Sequence, residues 1–195
     1  EAVARVAHDQ RITTIVLGKG EHVVEVFKDK RGHDNNTLAI SSAMSIVGRP
    51  DVPKEMVVIV GGIKFEKGTH GICHLRHVTL RHATGDGVFG SSSFTMEDVL
   101  VEQCADVGVY AWGTGVVGTC TNGEVRQCGR SGVVAGNGGS ITLIGAKTAV
   151  HHNCTKGGSR QYGLTVSHTS SSIQLVSPLT KEQVAVDNGG AGNWG

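Results

Sequence analysis

The sequence predicts an all-β chain wound into a single-stranded right-handed parallel β-helix, with a short capping helix at its N-terminal end. Three observations predict this fold. A strand-like segment recurs along the chain, glycine is abundant at 29 residues while proline numbers only 3, and aromatic residues make up 4%. Short β-branched runs joined by glycine turns are typical of stacked strands rather than of disordered chains. No linker divides the sequence, so we expect one domain over residues 1–195.

The recurring segment is a strand-like run, then a polar turn, then Gly followed by an apolar residue. Its copies begin at positions 78, 99, 123 and 149, and each ends at one of the pairs Gly87-Val88, Gly108-Val109, Gly132-Val133 and Gly163-Leu164. Equivalent positions in successive copies lie 21, 24 and 26 residues apart. Such periods indicate stacked repeats, and their drift indicates turns of variable length between strands of fixed length. Leucine-rich and helical repeats are excluded, because neither leucine periodicity nor long stretches of 3.6-residue period occur.

Aligning the four copies predicts columns of like side chains on successive coils. In chain order, the columns are Leu80, Val101, Val125 and His151, inward apart from the last; Arg81, Glu102, Arg126 and His152, outward; His82, Gln103, Gln127 and Asn153, at the turn; and Ala83, Cys104, Cys128 and Cys154, small and inward. The sign of the charge alternates over the first three members of the outward column. We therefore expect neighbouring coils to attract each other there.

The remaining elements follow the same scheme. Residues 1–8 have apolar spacing typical of a short helix, which would cover the edge of the first coil. Residues 12–17 are expected to form the first strand, and further strands are expected at 37–40, 44–47, 56–60, 141–144 and 173–176. Residues 189–195 are glycine-rich, which indicates either an unstructured exit or a tail whose Trp194 covers the last coil.

The chain resembles the pectate-lyase-like superfamily of right-handed β-helices. The resemblance lies in the series ITTIVLGKGEH (12–22), LAISSAMSIVG (38–48) and VVIVGGIKF (57–65), followed by the repeats between 78 and 164. It covers nearly the whole chain, but its motifs specify a fold and not a reaction. The superfamily includes polysaccharide lyases, hydrolases and epimerases, phage tailspikes and recognition modules, so the resemblance alone implies no single activity.

The resemblance implies that any active site lies on the strands that follow Gly87, Gly108, Gly132 and Gly163. If Val88 and its equivalents point inward, alternation places two outward columns on these strands. The columns are Phe89, Tyr110, Val134 and Thr165, then Ser91, Trp112, Gly136 and Ser167. Neither column contains a carboxylate, Lys or Arg. A lyase needs calcium-binding carboxylates and a base, and a hydrolase needs paired carboxylates, so this face argues against catalysis.

We interpret Phe89, Tyr110 and Trp112, with Thr165 nearby, as a candidate ligand-binding platform. Three of the eight aromatic residues would then stand outward on adjacent coils. Two alternatives stay open: a turn insertion could cover the rings, or the opposite register could bury them in the core. The sequence thus predicts a rigid β-helix module that presents a face to carbohydrate or protein, without catalysis.

The alternative function is a polysaccharide-active enzyme. Asp86 and Asp106 lie at the turn edge of successive coils, and Arg130 or Arg160 falls near the same edge. However, the paired Asp-Asp, Gly-His-Gly and Arg-x-Lys elements of polygalacturonase-like hydrolases are absent. An Asp in a tight turn is explained more simply by hydrogen bonds to its own backbone.

Composition sets the remaining expectations. A net charge of +1 and no long apolar run favour neither nucleic acid nor a membrane as partner. No Cys-x-x-Cys pair occurs, and the adjacent His151 and His152 should face opposite sides of a strand, so we expect no metal or cofactor. The odd count of five cysteines favours a reducing, intracellular compartment. The chain starts at Glu1 without Met or an apolar signal core, as a processed chain or an excised domain would, and solenoid ends could support oligomers.

Overall fold

The computed structural model describes residues 13–195, which wind around an apolar core so that each coil contributes a strand to each of three parallel sheets. The first sheet contains, in spatial order, β1 (Thr14–Leu17), β6 (Ser45–Gly48), β9 (Cys73–Arg76), β12 (Phe94–Glu97), β15 (Val117–Thr121), β18 (Ser140–Ile144) and β21 (Ser172–Leu175). The second sheet contains β2 (Gly20–Val23), β7 (Val57–Val60), β10 (Thr79–Arg81), β13 (Leu100–Glu102), β16 (Glu124–Arg126), β19 (Ala149–His151) and β22 (Ala185–Val186). The third sheet contains β5 (Thr37–Ile40), β8 (Gly62–Phe65), β11 (Val88–Gly90), β14 (Val109–Trp112), β17 (Val133–Gly136) and β20 (Leu164–Ser167).

Few elements lie outside the three sheets. An antiparallel pair, β3 (Phe27–Lys28) and β4 (Asp34–Asn35), projects from the first coil. A 3-10 turn covers Lys54–Met56, and one short helix, α1 (Lys181–Val184), follows β21. Within residues 13–195, no helix is long and apolar enough to cross a bilayer.

The predicted parallel β-helix is confirmed as an all-β parallel solenoid. Its strand–crossover–strand connections are of the kind that is right-handed as a rule. The strand expected at 37–40 has those bounds, and the strands expected at 44–47, 56–60, 141–144 and 173–176 are each found within one residue. The capping helix expected at residues 1–8 lies outside the described residues.

The core consists of inward columns that alternate with outward-facing positions along the strands, as the period of two requires. In the second sheet the inward column is Ile59, Leu80, Val101, Val125, Val150 and Ala185, all buried. Between the other two sheets the rings of Phe65 and Phe94 stack with centroids 5.5 Å apart. Like residues thus pack on like residues from coil to coil.

The alignment of the fourth repeat was wrong by one residue. Val125 pairs with Val150, and Arg126 pairs with His151, so Val150 and not His151 continues the inward column. The reason lies in the turn that follows the strand. His82, Gln103, Gln127 and His152 all adopt a left-handed backbone, with φ between 54° and 56°. The chain leaves the strand at these positions, and His152 takes the place that the alignment had given to Asn153.

Asn153 is consequently buried and starts a ladder of amides, instead of occupying the turn position of the predicted polar column. Its Oδ1 accepts the Cys128 backbone N–H at 3.0 Å, and its Nδ2 donates to Asn188 Oδ1 at 3.1 Å. Asn188 Nδ2 in turn donates to Asn193 Oδ1 at 3.2 Å. These bonds satisfy polar groups that would otherwise be buried without partners.

The C-terminal tail lies on the last coil, in agreement with the second of the two alternatives predicted for it. Trp194 forms a parallel bridge with Leu164, and the Leu164 N–H donates to Asn193 O at 2.8 Å. The Lys181 ammonium lies 4.1 Å from the centroid of the Trp194 ring. A cleft of about 330 Å³ remains between the tail and the apolar side chains of β20 and β21.

Neighbouring coils attract each other along the outward charged column of the second sheet, as predicted. Glu102, whose side chain is only 7% exposed, forms an ion pair with Arg81 at 2.9 Å and accepts a hydrogen bond from Arg126 at 2.7 Å. Arg126 also pairs with Glu124 at 2.8 Å, and His151 stands 3.2 Å from the same carboxylate. The fourth member of this column is therefore His151, where the alignment had placed His152.

Because Leu80 lies fully buried in the middle of the stack, we expect Leu80→Ala to lower the free energy of unfolding by about 2–5 kcal/mol. Val117→Ala, on the outward face of β15 where Val117 is 43% exposed, should change it by about 0.5 kcal/mol or less. Urea unfolding followed by circular dichroism measures both. Equal effects of the two substitutions would contradict the described burial.

Candidate functional site

The outer face of the third sheet carries the aromatic side chains that the sequence placed there. Phe89 pairs with Tyr110, and Trp112 pairs with Gly136 on the following coil. Val88 and Val109, which alternate with them, are buried in the core. The register predicted from alternation is therefore the observed one, and the alternative in which the rings are core residues is wrong. The three rings are half-buried.

The rings form a continuous cluster along this face. The centroids of Phe89 and Tyr110 lie 5.4 Å apart, and those of Tyr110 and Trp112 lie 5.5 Å apart, each pair meeting edge to face. His168, at the end of β20, extends the cluster, with its ring centroid 6.2 Å from that of Trp112. We call Phe89, Tyr110, Trp112 and His168 the aromatic cluster. Edge-to-face pairs of this kind are favourable and fix the positions of the rings.

Gly136 leaves space for the rings of Tyr110 and Trp112 because it has no side chain. A Cβ at this position would lie 2.9 Å from the Tyr110 hydroxyl and 3.1 Å from Cε3 of Trp112. The two rings therefore lean across β17, the strand of the next coil. Val134, the other outward residue of that strand, is buried although it points away from the core.

Polar groups border the cluster on the side of the later coils. The hydroxyls of Thr165 and Ser131 lie 2.9 Å apart and share a hydrogen bond. The Ser131 hydroxyl also accepts the Tyr162 N–H at 3.2 Å. Thr165 thus lies on the same outer face as predicted, two coils from Tyr110 in the same column.

The three residues of the enzyme alternative lie together at the turn that precedes this face. Arg130 Nε and Asp106 Oδ1 form an ion pair at 2.6 Å. Asp86 Oδ1 accepts the Val107 backbone N–H at 2.9 Å, which links one turn to the next. Asp86 therefore bonds the backbone, as an Asp in a tight turn was expected to, but the turn it bonds belongs to the following coil.

Asp86 is electrostatically perturbed. Burial raises its pKa to about 6; the hydrogen bond from Val107 opposes this rise, the neighbouring Asp106 adds to it, and Arg130 reduces it. Burial, and secondly the Asp86 carboxyl, also raises the pKa of Tyr110 to about 12. The edge of the aromatic cluster thus combines a neutral phenol with a carboxyl that holds its proton up to mildly acidic pH.

His168 is the member of the site that sequence reasoning missed. The alignment ended at Ser167, which pairs with Gly136, and His168 is the next residue. Its backbone is left-handed at φ 78°, and the imidazole meets Trp112. A left-handed residue after the last strand position breaks the alternation on which the prediction depended. The signal available was the polar residue that ends the strand, as in the earlier repeats.

The histidines and cysteines form no metal centre among residues 13–195, where no group of three or more His, Cys, Asp or Glu is placed to hold an ion. The expectation that His151 and His152 face apart was wrong, because the left-handed backbone of His152 brings their Nδ1 atoms to 2.7 Å. All five cysteines are buried, and burial raises the pKa of Cys120 to about 12 and that of Cys154 to about 11. These thiols pack as small apolar side chains.

Comparison with known proteins yields a distant structural likeness. No protein-family model matches the chain, and no curated protein matches it. Among solved structures it is similar to the mannuronan C-5 epimerase AlgE4 A-module of Azotobacter vinelandii, at 11% identity and a TM-score of 0.30, over 100% of this chain and 91% of that one. The parallel solenoid described above is the fold that the resemblance stated from the sequence implied. A structural likeness of this degree carries no argument about fold or activity.

The raised pKa of Asp86 predicts a pH-dependent stability. The folded chain keeps this proton up to about pH 6, whereas the usual carboxyl value is 3.8, so ionisation increasingly opposes folding as the pH rises between these values. Asp86→Asn cannot ionise and can still accept the Val107 N–H. Relative to wild type it should gain stability between about pH 4 and about pH 7.5, by up to about 3 kcal/mol. Urea unfolding at both pH values measures the gain, and an identical difference at both would contradict it.

Proposed function

We propose that this chain is a β-helix binding module whose aromatic cluster is the binding surface for a carbohydrate chain. The observation that carries the proposal is the concentration of Phe89, Tyr110 and Trp112 on the outer face of one sheet, in contact with one another and half-buried. Aromatic rings that combine an apolar surface with a polar edge are the side chains that dominate recognition surfaces.

The chemistry of the surroundings suits a sugar. The C–H faces of a pyranose pack on aromatic rings, while its hydroxyls need hydrogen-bond partners at the rim. The Tyr110 hydroxyl, Thr165 and Ser167 supply such partners on the same face. The nearby charges are paired, Arg130 with Asp106 at 2.6 Å and Lys64 with Glu66 at 3.6 Å. The cluster therefore offers stacking and neutral hydrogen bonds more than a field of one sign.

The scaffold favours binding because it holds the rings in place before a ligand arrives. Each ring stands on a strand that is paired on both sides, and the ring contacts restrict rotation further. A surface ordered in advance loses little conformational entropy on binding. A protein ligand would use the same advantage and is the alternative partner.

We expect Trp112→Ala to weaken binding of the best ligand on a glycan array about tenfold, which corresponds to about 1.4 kcal/mol for the loss of one stacked ring. Isothermal titration calorimetry with that ligand measures the change. Trp194→Ala is the matched control, since the chain has two tryptophans and Trp194 lies at the C-terminal end. Thr119→Ala controls for the outer face of the first sheet, where Thr119 pairs with Thr95 and Thr142.

The controls should bind like wild type. Equal weakening by Trp194→Ala would place the ligand elsewhere. Silence across neutral and uronate glycans would contradict carbohydrate binding and leave a protein ligand as the remaining candidate.

One observation favours a second function, a polysaccharide-active enzyme. Asp86 lies beside the aromatic cluster with its pKa raised to about 6, and perturbed carboxyls of this kind are typical of general acids. Asp106, the nearest second carboxylate, is paired with Arg130 and would have to act from that ion pair.

The enzyme alternative predicts product release from uronate or neutral polysaccharides, measured by unsaturated-product absorbance and by reducing ends. Asp86→Asn would then reduce the rate at least about 100-fold, because a positioned acid or base contributes that much. Asp51→Asn, in an exposed turn away from the cluster, is the control. Turnover that survives Asp86→Asn would exclude Asp86 as the acid, and the lack of turnover in wild type would exclude this function on the substrates tested.

A further inference from the structure

A cluster of charged side chains lies away from the aromatic cluster, at the turn between the first and second sheets. Its centre is His77, which follows β9 with a left-handed backbone at φ 54° and an imidazole that is 25% exposed. Asp98 occupies the equivalent turn of the next coil, with φ 51°. The His77 N–H donates to Glu97 O at 2.9 Å, so the two turns are fixed against each other by the backbone.

Both nitrogens of the His77 ring are engaged. Nδ1 lies 2.6 Å from Asp98 Oδ2, and Nε2 lies 2.8 Å from the Val52 carbonyl oxygen. A carbonyl oxygen can only accept, so Nε2 must carry a proton. The other contact then depends on which partner, His77 or Asp98, holds the second proton.

The contact of Lys54 with Asp98 determines whether His77 or Asp98 holds the second proton. Its ammonium donates to the other oxygen of Asp98 at 2.6 Å. Burial acts to raise the pKa of Asp98, but the hydrogen bonds from Lys54 and His77 outweigh it, and the pKa lies below its ordinary value. Asp98 is therefore a carboxylate, Nδ1 must donate to it, and the His77 ring in this arrangement is a doubly protonated imidazolium.

The same contacts hold the loop formed by residues 49–56. His77 binds the loop at the Val52 carbonyl, Lys54 binds it to Asp98, and the Thr79 hydroxyl donates to Lys54 O at 3.0 Å. A cleft of about 280 Å³ lies beside these contacts. Val52 packs against the hydrophobic core, so the loop is attached by this apolar contact together with the polar bonds of His77, Lys54 and Thr79.

We propose that His77 is a protonation-dependent latch, which holds the 49–56 loop against the coils when charged and loosens it when neutral. A neutral imidazole has one N–H. If that proton stays on Nε2, the Nδ1 lone pair faces the Asp98 carboxylate; if it stays on Nδ1, the Nε2 lone pair faces the Val52 carbonyl. In both cases one attractive contact becomes repulsive. Histidine is the side-chain type that ordinarily changes charge between pH 5 and 8, which sets the pH range for a test of the latch.

The other charged side chains around the ring pair with each other, so the change between attractive and repulsive contacts depends on His77. Arg76 and Glu97, which line the cleft, pair with each other at 3.3 Å. On the loop, Arg49 and Asp51 also pair with each other, at 2.6 Å. Lys54 and Asp98 thus remain as the charges that contact the ring or its partner. The latch is independent of the aromatic cluster and of any ligand.

Amide hydrogen exchange measured by NMR tests the latch. The Val52 and Met56 N–H groups close turns within the loop, bonded to Arg49 O and Pro53 O. Their protection should fall about tenfold between about pH 5.5 and about pH 8, the change produced by losing one hydrogen bond to a charged group. The ¹⁵N shifts of His77 should show both ring nitrogens protonated at the lower pH. In His77→Gln the fall in protection should disappear.

Two controls accompany this measurement. Glutamine is suited to this turn, since Gln103 and Gln127 adopt the same left-handed backbone elsewhere in the chain. His74→Gln, on the strand that precedes His77 and with its imidazole bonded to Thr95, should keep the wild-type response. If His77→Gln fails to fold, Asp98→Asn serves instead and should also abolish the response. Protection that does not change with pH in wild type, an equal fall in the folded variant, or a singly protonated ring on a protected loop would overturn the proposal.

Discussion

Hydrogen bonding of each coil to the coils before and after it is the constraint on which this structure depends. The strands of the three sheets pair in parallel register from β1 and β2 onward. Each strand position therefore lies above the equivalent position of the previous coil, at the spacing of neighbouring strands. A side chain at a given position must therefore be compatible with the side chains at the same position of the neighbouring coils. An apolar column builds a core, a charged column must alternate in sign, and a polar column must form bonds along its length.

The candidate site follows from the same constraint. Phe89 and Tyr110 contact each other because parallel register stacks their positions, and Trp112 joins them two residues along the same strand. The turn before this face is stacked in the same way, which brings Asp86 against the Val107 N–H and Asp106 against Arg130. A cluster of rings that meet edge to face and a carboxyl with a raised pKa therefore lie at one edge of the sheet.

The sequence predicted the coil architecture well because repetition averages over errors. Inward positions such as Leu80 and Val101, and outward ones such as Tyr110, were assigned correctly from alternation. The fourth repeat failed because backbone handedness, and not residue type, ends each strand. His152 is left-handed like Gln127, and nothing in the identity of the two residues states this. The His77 latch could not be predicted from the sequence, since Val52 contacts His77 across 25 residues that include three strands.

The charged column of the second sheet has a consequence for the order of the coils. The members of this column are, from the first coil to the last, Val23, Val60, Arg81, Glu102, Arg126, His151 and Val186. Valine at both ends shows that the fold accepts an apolar residue in this column, and an ion pair to a buried carboxylate such as Glu102 is seldom more stable than an apolar contact. The triad constrains the order of the coils, because a coil placed elsewhere in the stack would leave the nearly buried Glu102 carboxylate without an arginine on each side. An all-valine column would carry no such electrostatic constraint.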